Sequence, residues 1–223
     1  MIMDGFILID KPSGITSHDV VSVIRRKFHM RRVGHAGTLD PLATGILIVL
    51  LGPATKLFNK FSSMDKAYEA TLTLGMTTDT ADIEGKILTT SSYAHISQKQ
   101  IEEVFKQFVG DIEQIPPMVS AIKVNGKRLY RLARKGIEIA REPRKIKIDS
   151  LQIMNIVLPE VKFFLDCSKG TYVRKLAEDV GEVLGCGGCI SQIRRTRIGE
   201  FQIKDAVPLE NVNESHIRRF EDQ

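Results

Sequence analysis

The sequence predicts an α+β fold, one large sheet with helices around it. Three observations lead there. Strand and helix signals follow one another in a mixed order that is neither strict βαβ nor all-β. The uninterrupted apolar run Ile46 to Leu51 has the character of a buried strand. Two capping-box spacings, Thr16 with Asp19 and Ser97 with Gln100, each precede an apolar stripe at helical period. With 223 residues, 43% of them hydrophobic, the chain can bury a sizeable core.

In order along the chain, Phe6 to Asp10 reads as a short strand ending at the Lys11-Pro12-Ser13-Gly14 turn. A helix follows from Thr16, with Val20, Val21, Ile24 and Phe28 on one face. Gly34 to Gly45 is polar, glycine-punctuated loop leading into the Ile46–Leu51 strand. Tyr68, Ala70, Leu72 and Leu74 alternate with Glu69, Thr71 and Thr73, the period-2 pattern of a half-buried strand. Ser97 opens a helix carrying Ile101, Val104, Phe105 and Phe108 on one stripe, closed by Gly110. After Pro116-Pro117 comes a segment with a short helix around Leu129 to Arg134, which reads as a surface insertion. Ile146 to Val157 and Val161 to Cys167 suggest two strands meeting near Pro159. Tyr172 to Leu184 is a helix with Val173, Leu176, Ala177, Val180 and Leu184 as its stripe. Ile190 to Phe201 is a last, partly basic strand, and the tail from Asn211 is polar.

Composition narrows the function. Charged residues at 26%, 17 glycines and 8 prolines are ordinary globular usage and exclude a collagenous or disordered chain. Three cysteines cannot form a disulfide framework, and an odd count fits free thiols in a reducing compartment. The longest apolar run falls far short of a membrane span, and the N-terminus lacks a signal-peptide pattern, so a cytoplasmic protein with no membrane partner is expected. Net charge is +5, but between Ala121 and Lys147 ten basic side chains face two acidic ones, a local +8 that leaves −3 for the rest. Such an excess attracts a polyanion, most often nucleic acid; taken by itself it also suits a solvated face.

The residues that could carry chemistry concentrate in Gly34-His35-Ala36-Gly37-Thr38-Leu39-Asp40-Pro41-Leu42-Ala43-Thr44-Gly45. Proline after Asp40 pushes the aspartate out of helical conformation, which can hold a carboxylate rigidly at a cleft edge. The same pair is also the pattern of a helix cap, with Pro41 at the first helical position. There is no Walker loop and no Gly-x-Gly-x-x-Gly turn. Cys186 and Cys189 lack the further ligands of a closed zinc site and read as a tight helix-to-strand connection, while Asp79, Asp82 and Glu84 fail calcium-loop spacing and read as a turn with Gly85. No metal and no cofactor are expected. Asp40, aromatic Tyr68 and Arg174 together suit covalent chemistry on a nucleobase: a guanidinium keeps a carboxylate ionised, and tyrosine offers a flat stacking surface. Each also has a plainer reading, Tyr68 as a core aromatic and Arg174 as an i,i+4 partner of Glu178.

Asp10-Lys11-Pro12-Ser13-Gly14 with Thr16-Ser17, followed by the Gly34 to Gly45 block, resembles the TruB family of tRNA pseudouridine synthases. The resemblance continues through Lys66-Ala67-Tyr68-Glu69-Ala70, Thr78-Asp79-Thr80-Ala81-Asp82, Gln114 to Ala121, and Cys167-Ser168-Lys169-Gly170-Thr171-Tyr172-Val173-Arg174. It implies the pseudouridine synthase fold, with a large mixed, mainly antiparallel sheet. It implies an isomerase that converts a T-loop uridine of tRNA without metal or cofactor, working as a monomer on the T arm. Carried over, it makes Asp40 the nucleophile, attacking at C6 or C1′, Arg174 its ionic partner, and Tyr68 the residue that stacks on uracil. His35 would stack within the RNA loop, Tyr172 and Ile193 would line the uridine pocket, and Lys11 would support the site's floor. The domains it implies are a catalytic domain over 1–205, a basic thumb at about 116–147, and a short tail over 206–223 without a full PUA domain. Two other classes fit parts of the sequence: a non-catalytic RNA-binding or RNA-folding module, and an aspartyl phosphotransferase, disfavoured because Leu42 stands two residues beyond Asp40.

Overall fold

The computed structural model describes residues 4–120, 123–124, 126–133 and 136–219. Within the basic insertion, residues 121, 122, 125, 134 and 135, including Arg134 and Lys135, lie outside the described residues, as do the side chains of Lys123, Lys127 and Arg128.

The chain forms two compact units, residues 1–68 with 193–223, and residues 69–192. In the first unit β1 (Gly5–Lys11) is followed by α1 (Ser17–Lys27), β2 (Val33–Ala36), β3 (Thr44–Leu51), a 3-10 turn (Gly52–Leu57) and α2 (Phe58–Ser62); β4 (Lys66–Leu74) then runs on into the second. The second unit continues with β5 (Met76–Thr78), β6 (Ile87–Thr90), α3 (Gln98–Gln107), β7 (Gly110–Gln114), β8 (Lys123–Val124), β9 (Lys127–Arg128), α4 (Leu129–Ala133), β10 (Arg144–Val157), β11 (Glu160–Cys167) and α5 (Val173–Val183). Strand β12 (Gly188–Ile198) leads back to the first, where β13 (Phe201–Gln202) and β14 (Val207–Pro208) complete it.

In the first unit the strand order is β14-β1-β3-β12, with β1 antiparallel to β3 and parallel to β14, and β12 parallel to β3. The apolar runs of β1 and β3 are buried on both faces. Ile7, Ile9, Leu47, Val49 and Leu51 pack with Val20, Val21 and Ile24 of α1, while Phe6, Leu8, Ile46, Ile48 and Leu50 pack with Phe61 and Ile198. At about 1.5–3 kcal/mol per fully buried large apolar side chain, this double face fixes the frame on which the loop after β2 is mounted. Thr16 and Asp19 form the expected capping box at α1.

In the second unit β4, β11, β10 and β7 are consecutive neighbours, β10 antiparallel to both β11 and β7. Helix α3 carries its Ser97/Gln100 capping box and buries Ile101, Val104 and Phe105, with the Phe105 ring 5.6 Å from that of Phe163. Helix α5 buries Val173, Leu176, Ala177 and Val180 as its periodicity requires. The architecture is α+β, its sheet strands mixed and mostly antiparallel, as the sequence leads one to expect.

Several elements differ from the sequence reading. The segment from Gly34 is not loop at its start: Val33–Ala36 pairs with Leu51–Ile48. Strand β4 is not half-buried, because Thr71 and Thr73 are buried along with Ala70, Leu72 and Leu74, so both of its faces are covered; threonine tolerates this through its methyl group. Gly110 opens β7, the helix having ended at Phe108. The basic segment's last residues, Arg144, Lys145 and Lys147, belong to β10. The polar tail is anchored: Val212 is fully buried beside Leu209, and Arg218 exchanges two backbone hydrogen bonds with Phe6.

Candidate active site

In the first unit, residues 37–43 run as bends and loop between β2 and β3, so the cap reading of Asp40-Pro41 has no helix to serve. Asp40 instead opens a turn, its carbonyl accepting from the Ala43 N–H at 3.1 Å, and the residue is half-buried. The backbone on both sides of it is pinned. Lys11, fully buried at the end of β1, donates its ammonium protons to the carbonyls of Pro12 (2.8 Å), Ile15 (2.7 Å) and Pro41 (3.3 Å). The Gly14 N–H adds a second bond to the Pro41 carbonyl at 2.9 Å. Ser17, the first residue of α1 and buried, both accepts from the Leu39 N–H (2.8 Å) and donates to the Leu39 carbonyl (3.0 Å). Lys11 thus holds the backbone next to Asp40.

On the other side lies Arg195 of β12, only 1% exposed. Its guanidinium donates to the carbonyls of Ile46 (2.9 Å), Gly37 (2.9 Å) and Thr38 (3.5 Å). Lys11, Gly45 and Arg195 lie side by side across three neighbouring strands. Gly45 is obligatory there: its φ is +102°, and a Cβ would stand 2.2 Å from the Arg195 carbonyl oxygen. Burial pushes the pKa of Arg195 down; nearby Tyr68 and the charge of Asp40 oppose this. An arginine so placed is still a cation. Asp40, buried Tyr68 and Arg195 therefore share one electrostatic neighbourhood.

Two further predicted residues belong to this unit. His35 lies on β2 opposite Val49, partly buried. Ile193 packs against the α1-side core, and its carbonyl meets the Thr44 hydroxyl at 3.5 Å. Beside it Arg194 pairs with Asp10, Nη2 to Oδ2, at 2.6 Å.

Tyr172 and Arg174 belong to the second unit. Tyr172 is the N-cap of α5, and Gln114, buried at the end of β7, brackets it: the Tyr172 N–H donates to Oε1 (2.8 Å) and Nε2 donates to the Tyr172 carbonyl (3.1 Å). Arg174 is 4% exposed and pairs with buried Asp82 at 3.6 Å. It donates to the carbonyls of Thr80 (2.5 Å) and Val119 (2.9 Å). The Asp79 to Gly85 segment does form the expected turn, with the Asp82 carboxylate accepting from Thr80 Oγ1 and the Glu84 N–H. Glu178, the i,i+4 neighbour of Arg174, pairs with Lys175 at 2.8 Å. The three cysteines are buried free thiols, and residues 184–188 form the tight connection between α5 and β12.

The sequence assigns no part in the chemistry or its support to Ser17, Asp82, Gln114 or Arg195. Ser17, Asp82 and Gln114 stand within the motif blocks quoted above, so a polar residue beside a motif was the available signal. For Arg195 the signal was a charged residue inside an otherwise strand-like run. Among the described residues no group of three or more His, Cys, Asp or Glu side chains is arranged to hold a metal ion.

Residues 25–173 match the family model described as TruB family pseudouridylate synthase (N terminal domain), and residues 174–222 match the tRNA pseudouridylate synthase B C-terminal domain. The chain is 49% identical over 210 residues to tRNA pseudouridine synthase B of Syntrophotalea carbinolica, covering 94% of this chain and 69% of that one. It is 47% identical to the namesake protein of Opitutus terrae, over 94% of this chain and 87% of that one. Among solved structures, a Cbf5-Nop10-Gar1 complex matches with a TM-score of 0.74 at 31% identity, over 94% of this chain and 54% of that chain. An H/ACA RNP bound to a substrate RNA containing 2'-deoxyuridine matches with a TM-score of 0.70 at 28% identity, over 94% and 52%. The chain spans about half the length of these structural relatives.

Proposed function

The chain belongs to the TruB family of pseudouridylate synthases, and on that premise we propose that it isomerises a T-loop uridine of transfer RNA to pseudouridine in the cytoplasm, as a monomer engaging the T arm, with Asp40 as nucleophile. The reaction breaks the C1′–N1 bond, turns the uracil while it stays enclosed, and joins C1′ to C5. The C5 proton leaves and N1 gains one, so atoms balance with no co-reactant. A single carboxylate suffices if it is held in place.

One observation carries this reading. A half-buried carboxylate stands on a loop whose backbone is fixed on either side by two fully buried cations, Lys11 and Arg195, and by Ser17. Desolvating two cations is costly, and a loop serving only as a connection has no need of it. Rigid placement of the attacking group is what the reaction does require. Tyr68 supplies the stacking surface for a flipped base, and the few kcal/mol needed to extrude that base are offset by phosphate contacts from the basic thumb over 116–147. His35 and Ile193 contribute to RNA-loop stacking and to the uridine pocket. Arg174 and Tyr172 serve the same reaction, as the family resemblance implies.

The test is to incubate the protein with unmodified tRNA and map new pseudouridine, in parallel with Asp40→Asn. Product at the T-loop position, lost in Asp40→Asn while tRNA binding is retained, is expected. Undiminished product from the variant would remove Asp40 from the chemistry. Tight binding without product from the unaltered protein would favour an RNA-folding module.

A further inference from the structure

Gln114 is the last residue of β7, where the chain leaves the sheet for the basic insertion; the chain rejoins the sheet at Arg144, the first residue of β10 and the register partner of Gln114. The two roots of the insertion therefore stand side by side. The Gln114 side chain is 2% exposed, and both ends of its amide are spent on one residue: Oε1 accepts from the Tyr172 N–H at 2.8 Å, and Nε2 donates to the Tyr172 carbonyl at 3.1 Å. A buried amide is tolerated when both its ends are bonded, and it meets a main-chain N–H and C=O much as a neighbouring strand would.

Tyr172 departs from what its own position favours. It is the N-cap of α5, extended at φ −106° and ψ 106°, and its side chain makes no cap bond. Serine, threonine, aspartate or asparagine would cap the helix better. A local rule broken at a residue that a buried side chain from another element holds in place points to a use for that residue beyond the helix. Arg174, two residues on, has holders of its own in Asp82 and the carbonyls of Thr80 and Val119, so the Gln114 clamp acts on Tyr172.

Resting on the isomerase reading above, we infer that Gln114 is a positioning residue for the reaction, fixing the backbone of Tyr172 against the paired roots of the basic insertion so that the pocket tyrosine and the RNA-gripping segment share one anchor.

Gln114→Met tests this, because it keeps the side-chain length and removes both bonds. Single-turnover product formation at saturating tRNA, tRNA affinity and the folded fraction are measured together. A misplacement of about 1 Å costs on the order of 100-fold in rate, so the rate constant should fall by about 100-fold while affinity changes less than about three-fold. A merely structural role lowers the folded fraction and leaves the rate constant of the folded protein unchanged. That result, or a loss confined to affinity, overturns the inference. Should the methionine variant not fold, Gln114→Glu keeps the acceptor for the Tyr172 N–H and, when ionised, cannot donate to the Tyr172 carbonyl. It should still be slower by about ten-fold or more, and an unaltered rate constant overturns the inference.

A second readout needs neither activity nor a Gln114 variant. With 15N-labelled tyrosine, the one of four amide signals that disappears in Tyr172→Phe belongs to Tyr172. An N-cap N–H lies outside the hydrogen-bond ladder of its helix, so protection of this amide reports the Gln114 bond. Its exchange with solvent should be slowed by about 100-fold or more relative to an open chain; unprotected exchange overturns the inference. An unaltered protein that makes no pseudouridine would sink the isomerase reading, while the exchange rate still decides whether Gln114 holds Tyr172.

Discussion

Ser17→Ala is a small change with a calculable cost. The hydroxyl is 2% exposed and serves both backbone groups of Leu39, accepting at 2.8 Å and donating at 3.0 Å, and Leu39 itself is 4% exposed. Alanine is as good as serine at the first position of α1, so helix propensity does not oppose the change. What remains is one buried N–H and one buried C=O without their partner. Each such group costs about 1–3 kcal/mol, so the variant should lose about 2–6 kcal/mol. For a chain of this size that lowers Tm by about 4–24 °C, at roughly 2–4 °C per kcal/mol. Ser13→Ala is the control: its hydroxyl bonds the Leu42 carbonyl at 3.2 Å but is exposed, so water replaces it and the loss stays within about 0.5 kcal/mol. Urea titration of both variants, alongside single-turnover product formation, measures the difference. The loop next to Asp40 should loosen, so Ser17→Ala should reduce rate more than tRNA affinity. If Ser17→Ala and Ser13→Ala are equally mild, the Leu39 backbone is held by something other than this serine and the clamp argument fails.

Other perturbations reach other parts of the molecule. Arg174→Ala leaves the buried Asp82 carboxylate uncompensated and should cost about 3–5 kcal/mol by urea titration, with turnover falling far more than tRNA affinity; loss confined to affinity would reassign the guanidinium to phosphate. Burial pushes the Cys189 thiol up to about 11 and raises Cys186 too, so thiol-reactive dye at pH 8 should label neither in the native protein and label all three cysteines after unfolding. The same shift sets a sign: the folded state holds these thiol protons more tightly, so stability should fall as pH rises from the ordinary cysteine value of 9.0 toward 11, and a rise over that window would contradict the burial. Binding of tRNA should weaken by about 100- to 1,000-fold between 50 and 200 mM salt if the thumb neutralises about five phosphates, and a flat filter-binding curve would remove the thumb from recognition.

Much of this protein was decided within short stretches of chain. The capping boxes at Thr16/Asp19 and Ser97/Gln100, the stripes of α1, α3 and α5, and the buried run of β3 are set by sterics and hydrogen bonding over a few residues, and so are readable from a single sequence. The Asp40 loop could be singled out because glycines and a proline restrict the backbone locally. Whether Asp40 capped a helix or stood on a clamped loop could not, because Lys11, Ser17 and Arg195 come from three different elements. Arg195 reaches Gly37 across 158 residues, and only the β3–β12 register, permitted by the bare backbone of Gly45, brings them together. Asp82 meeting Arg174, both faces of β4 being covered, and Val212 entering the core are likewise products of packing. Local propensity acts on neighbours in sequence, whereas the partner of a buried charge is selected by which strands lie side by side once the apolar surfaces have closed.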